Sequence, residues 1–225
     1  MKTRALLLVC FFGSAAVRSA RAETQTEHQI WVASIAQARL RPGSRVLGWF
    51  DLHDRRRDGA TVLIVRPGVG YQVAERVSLH VGYAWIPTFV DEGANRHEHR
   101  SWQQLLWTLP APAGWSFSLR PRLEQRVSLG SDDLGHRARL FVRGAWAPWA
   151  ESPLLLAVWD ELFFQFNDTS WGAQRGFDQN RVFVGLGAPA LPGMRVEVGY
   201  LHVYLQREPD DQVNHNLAVN VFLAY

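Results

Sequence analysis

Apolar and polar side chains alternate along most of this chain with a period of two. The clearest stretch is 115–129. Trp115, Phe117, Leu119, Pro121, Leu123, Val127 and Leu129 fall on one face, interrupted only by Gln125. Ser116, Ser118, Arg120, Arg122, Glu124, Arg126 and Ser128 fall on the other. Successive side chains of a strand point to opposite faces, so this contrast predicts a strand between an apolar and a polar environment. Similar alternation marks 61–73, 77–89, 137–147, 180–188 and 213–225, and further candidates lie at 30–40, 45–54, 100–109, 154–166 and 194–206. Several have the length of about 9–11 residues that a tilted strand needs to cross a bilayer. No apolar run after the N-terminal segment is long enough for a membrane-spanning helix.

The connectors read as two alternating classes. Those at 41–44, 74–76, 110–114, 148–153 and 189–193 are short and often Pro-rich; those at 54–59, 90–99, 130–136, 167–179 and 207–212 are longer and polar. Short turns at one end and longer loops at the other are a habit of outer-membrane barrels. Trp107, Trp115, Trp146 and Tyr225 lie near the short-turn end, and Trp85, Phe89, Phe164, Phe166 and Tyr204 near the long-loop end, as two interfacial girdles would. The final strand ends on the aromatic Tyr225, which resembles the signature read by the barrel-assembly machinery.

The expected fold is therefore all-β: a transmembrane antiparallel up-and-down barrel. Eleven candidate strands conflict with the even number usual in bacterial barrels. With 30–40 and the last strand running the same way, they could not pair antiparallel. The expectation is ten or twelve strands, with 30–40 partly in the lumen, one strand overlooked, or one connector misassigned.

The N-terminus adds a destination. Lys2 and Arg4 precede the apolar run ALLLVCFFGSAAV at 5–17, and Ala20-Arg21-Ala22 supplies small residues around a cleavage point. That order predicts a signal peptide over 1–22 and a barrel domain over 23–225. Its removal takes away Lys2, Arg4, Arg18 and Arg21, so the formal charge falls from +3 to −1. The basic balance thus belongs to the leader, and nucleic acid is not an expected partner. Cys10 is the only cysteine, so the mature chain has no thiol for a disulfide or a thiolate metal site. Lys2 is the only lysine, leaving Arg as the cation of the barrel.

The polar faces concentrate charge. Asp51, Arg66, His80, Arg100, Arg120, Arg122, Glu124, Arg126, Arg137, Arg139, Arg143, Glu161, Arg181, Arg195 and Glu197 are all expected to face inward. Buried ions need partners. They predict either a lumen propped by Arg–carboxylate pairs or an Arg-lined path for an anionic solute, lipid phosphate or carboxylate. Ser78 and His80 share a face with Glu124 within reach, a weak hydrolase constellation. His97, Glu98 and His99, with Asp91 and Glu92 nearby, read as a solvated loop, because no fourth ligand spacing supports a metal. No metal or cofactor is expected, and no catalytic residue is assigned.

Several motifs resemble those of domain-of-unknown-function family 2490, bacterial predicted outer-membrane β-barrels. They are Glu98-His99-Arg100 with Trp102-Gln103-Gln104, Arg120-x-Arg122-x-Glu124-x-Arg126, Asp160-Glu161-Leu162-Phe163, Phe177-Asp178-Gln179-Asn180-Arg181 and Glu197-x-Gly199-Tyr200. The resemblance implies a barrel in the cell outer membrane and brings no activity to transfer. The leading expectation is a non-enzymatic barrel, structural or a narrow channel or binding protein. Its expected partners are outer-membrane lipids, the assembly machinery and an anionic small solute. A lipid-modifying hydrolase and a soluble periplasmic β-barrel or sandwich are the alternatives.

Overall fold

The computed structural model describes residues 24–148 and 153–224. The segment 1–22, expected as a leader, and Tyr225 lie outside them. The described chain is eleven strands: β1 Gln25–Arg39, β2 Val46–Arg57, β3 Ala60–Ala74, β4 Val77–Val90, β5 Arg96–Leu109, β6 Trp115–Ser128, β7 Leu134–Trp146, β8 Leu155–Gln165, β9 Gly176–Leu191, β10 Met194–Leu205 and β11 Gln212–Ala224. Each pairs with its neighbours in sequence, and β1 meets β11 to close the barrel.

The closure corrects the expected strand number. An up-and-down barrel with an odd count has first and last strands that run in the same direction, so it can close only through a parallel pair. β1 and β11 form that pair in continuous register, from Gln25 opposite Gln212 to Gln37 opposite Ala224. Segment 30–40 is thus part of a full wall strand and not a lumen plug, and neither ten nor twelve strands is found. All other pairs are antiparallel.

The connectors do not sort by length as strictly as their polarity suggests. At one end they span 40–45, 75–76, 110–114, 147–154 and 192–193; at the other, 58–59, 91–95, 129–133, 166–175 and 206–211. The polar stretches 54–59 and 90–99 were expected as loops, yet the ladder takes up most of the first and half of the second. β2 runs on through Arg57 and turns at 58–59, where Gly59 takes φ 71°, a conformation Gly adopts without a Cβ clash. Strand ends that carry polar side chains look like loops in a sequence because polarity marks exposure to water, not loss of pairing.

The wall is turned inside out relative to a soluble barrel. On β6, Arg122 and Glu124 are 2 % and 1 % exposed, while Leu123 between them is 49 % exposed. Val81, Tyr83, Val142, Leu162, Val184, Leu186 and Leu217 likewise point outward. Near one end Trp115 stacks on Trp146 at 5.5 Å on the outer surface. Near the other, Trp85 stacks on His97 at 6.0 Å, and Tyr200 packs on His215 at 5.9 Å. Inside, Trp102 and Phe183 anchor two small apolar clusters. The indole of Trp102 lies across Gly68 and Gly82, where a Cβ would come within 2.6 and 2.4 Å of the ring. Those two glycines make room for the largest buried side chain.

Candidate functional site

The charged residues follow from strand register. Asp51 faces Arg66 across β2–β3, Glu124 faces Arg137 across β6–β7, and Glu161 faces Arg181 across β8–β9. Such opposed pairs stabilise a sheet, whereas like charges directly opposite destabilise it. Arg122 does face Arg139, and the sheet answers by turning the two guanidiniums to different acceptors. Arg122 donates to Gln104 Oε1 from Nε at 2.9 Å, and Arg139 donates to Glu124 at 2.6 Å and Glu161 at 2.6 Å.

Glu124 is the centre of the network. Its carboxylate accepts from Arg137 at 2.5 Å and Arg139 at 2.6 Å, with Arg100 at 3.6 Å and Arg122 at 3.8 Å. Glu161 holds Arg139 closely and has Arg120 and Arg181 at 3.6 and 3.7 Å. Asp51 holds Arg66 at 2.8 Å. Glu197 accepts from Arg143 and from Arg195, the latter at 3.0 Å. The structure therefore gathers Arg66, Arg100, Arg120, Arg122, Arg126, Arg137, Arg139, Arg143, Arg181 and Arg195 around six carboxylates, with Arg207 as an eleventh cation. Cations outnumber anions by eleven to six in these pairs.

Four charged residues of the lumen, Glu98, Asp178, Arg207 and Arg55, were missed in the sequence. Glu98 is on β5, not in a loop; its side chain reaches inward and takes Arg100 at 2.7 Å and Arg126 at 2.5 Å. His97 and His99 point to the outer wall, His99 against Tyr83. Among the described residues no group of three metal-ligating side chains comes together. Asp178 holds Arg137 at 3.1 Å and Arg207 at 2.9 Å. Arg55 lies over the Trp31 ring at 3.9 Å. The Asp58-Gly59 turn signal could have placed Arg55 on a strand; nothing local marks its partner, which is on β1.

Ser78 and His80 do meet: Oγ and Nε2 share a hydrogen bond of 2.9 Å. Both are buried, but His80 Nδ1 has no hydrogen-bond partner, and Glu124 is committed to arginines. A triad needs an acid or amide on that nitrogen to orient the ring. Neither residue borders either cavity described below. The pair is packed against Trp49 and Gly70 and has no room for a substrate.

Two cavities occupy the lumen. The larger, about 860 Å³, reaches the turn at 192–193 and is walled by aromatic and aliphatic side chains with Arg55, Arg66, Arg120, Arg139, Arg143, Arg181 and Arg195. The smaller, about 370 Å³, lies toward the opposite end among Glu98, Arg100, Arg126, Arg137 and Asp178. Arg55, Arg66, Arg139 and Arg181 border both and form a cationic waist between them.

A closed eleven-stranded barrel with a charged interior and an apolar exterior is the class that fold and site define. The chain belongs to the family described as "Protein of unknown function (DUF2490)", whose model matches residues 28–214. It is 32% identical, over 99% of its length and 98% of the relative's, to the uncharacterized protein MexAM1_META1p0181 of Methylorubrum extorquens. A solved chain, from a structure titled "Unveiling the Mechanism Behind the in-meso Crystallization of Membrane Proteins", shares 12% identity over 82% of this chain and 78% of its own, with a TM-score of 0.36, too loose a likeness to carry an argument.

Proposed function

We propose that this protein is an outer-membrane β-barrel of a Gram-negative-type bacterium, exported through its N-terminal leader. Its lumen is a closed, cation-lined chamber and not an open pore. The observation that carries the reading is the inversion on β6, where exposed Leu123 sits between buried Arg122 and Glu124. Water surrounds a soluble barrel and favours the opposite arrangement, whereas lipid accepts an apolar wall around a polar interior. Strands of 11 to 16 residues reach or exceed the crossing length of about 9–11 residues. The outward Trp115–Trp146 stack suits the headgroup level. Outer-membrane lipids then surround the wall, and the assembly machinery acts on β11.

Closure is supported by the waist. Arg66, locked to Asp51, and Arg139, locked to Glu124 and Glu161, prop it, and the guanidiniums of Arg55 and Arg181 narrow any path. Two measurements test the reading. Washed envelopes should release the protein only with detergent; release by salt or urea alone overturns the membrane assignment. In planar bilayers the purified barrel should give no stable current steps with chloride or larger anions; steady conductance overturns the closed lumen.

A further inference from the structure

We infer that the larger chamber binds a single-chain anionic amphiphile, its carboxylate or phosphate head held by Arg55 and Arg181 beside Trp31. The argument starts from unmatched charge. The Trp31 ring carries two guanidiniums, Arg55 at 3.9 Å and Arg181 at 5.1 Å from its centroid. Among the described residues Arg55 has no carboxylate within ion-pair distance. Arg181 has only Glu161 Oε2 at 3.7 Å, and Glu161 is already bonded to Arg139 through its other oxygen. Nε of Arg55 and Nε of Arg181 are both buried without an acceptor. Arg181 is itself only 8 % exposed and borders the chamber.

Two cations on one ring repel each other, and a cation–π contact returns only about 0.5–2 kcal/mol each. An anion between them would be held by charge-assisted hydrogen bonds to the two guanidiniums, which border the chamber. The rest of the chamber argues for a tail. Ile35, Leu106, Phe141 and Phe222 line the part that leads from Trp31 toward the turn at 192–193. A bare anion would leave those walls facing water or a void. The volume of about 860 Å³ suits a small-molecule site.

The proposal rests on the lumen being a chamber, and its test separates the two. The full barrel in zwitterionic phosphatidylcholine nanodiscs is loaded with a dansyl-labelled undecanoic acid, and signal is taken above empty discs. Decanoate and decyl phosphate should displace the probe. The ranking of those two assigns the head to a fatty acid or a phosphate monoester. Decanol, decyltrimethylammonium and inorganic phosphate should not displace it. Arg55→Gln and Arg181→Gln should each weaken binding at least about tenfold, the loss of one charge-assisted contact. Ile35→Trp, which keeps both cations, should weaken the ten-carbon ligands by narrowing the tail path. Displacement by decanol or by phosphate as strong as by decyl phosphate overturns the proposal, as does unchanged binding in all three variants. A barrel that conducts yet passes these arms would break the closed-lumen reading alone; a closed barrel that binds no probe would break this one alone.

Discussion

The two chambers are built from the same side chain and differ in how it is matched. Around the smaller one every carboxylate is clasped by at least two arginines: Glu98 by Arg100 and Arg126, Asp178 by Arg137 and Arg207, and Glu124, buried beside them, by Arg137 and Arg139. At the waist and beyond it in the larger one, Arg120 and Arg181 have only distant contacts with Glu161, and Arg55 has an aromatic face in place of an anion. Close pairing makes a strut, because each of those guanidiniums already meets a carboxylate at 3.1 Å or less. Partial matching makes a receptor, because a ligand can supply what the protein withholds. Arginine content alone therefore says little about binding; how closely each cation meets a carboxylate separates the two roles.

That contrast can be broken experimentally. The largest effect is expected for Glu124→Gln, which leaves Arg137 and Arg139 buried without their shared anion. Breaking a buried pair in this way costs about 3–5 kcal/mol. Urea unfolding of the reconstituted barrel should register it, and a loss below that of Glu98→Gln would remove Glu124 from the centre of the network. Glu98 is less buried, with a side chain 18% exposed, so its change should cost less, about 1–3 kcal/mol.

Next comes packing. Gly82→Ala would place a Cβ 2.3 Å from the Pro67 carbonyl oxygen and 2.4 Å from Trp102. Overpacking of this kind costs about 1–3 kcal/mol. The same unfolding measurement checks it, and a neutral result would mean the strand yields at that point.

Arg55→Gln sharpens the comparison from the other side. It removes a cation that has no carboxylate, so the change in stability should stay within about 2 kcal/mol, the scale of its contact with Trp31, even though ligand binding falls. A loss as large as that of Glu124→Gln would show Arg55 to be a strut after all.

The smallest effect lies in the loops. Side-chain and backbone hydrogen bonds from Ser170 hold the Asp133 carboxyl below its ordinary value. A lowered carboxyl contributes stability above its unfolded pKa and loses that contribution as the pH falls through the lowered one. The contact between loops 129–133 and 166–175 should thus loosen only below about pH 4. Hydrogen exchange of the Ser170 amide checks this; exchange that quickens already between pH 7 and 5 would contradict it. Asp133→Asn should raise that exchange at neutral pH without changing global unfolding.

How far the sequence carries the site depends on distance along the chain. Within one strand it carries almost everything: Arg120, Arg122, Glu124 and Arg126 sit two apart and share a face because the pleat demands it. Partnerships across the lumen are another matter. Arg137 meets Asp178 at a separation of 41 residues, and Arg143 meets Glu197 at 54. Glu98 looked like a loop residue because polar neighbours mark both loops and wet strand ends.

By itself, then, the sequence determined the alternation, and with it the all-β class and the choice of which side chains face inward. Alternation is local, a consequence of backbone geometry repeated every two residues. Only the tertiary structure decided the strand parity, the parallel β1–β11 seam and the pairing of charges. Those depend on which strands become neighbours when the sheet closes and on the shear between them. The same closure brought Arg55 and Arg181 to one indole ring, leaving two cations with fewer anions than they need.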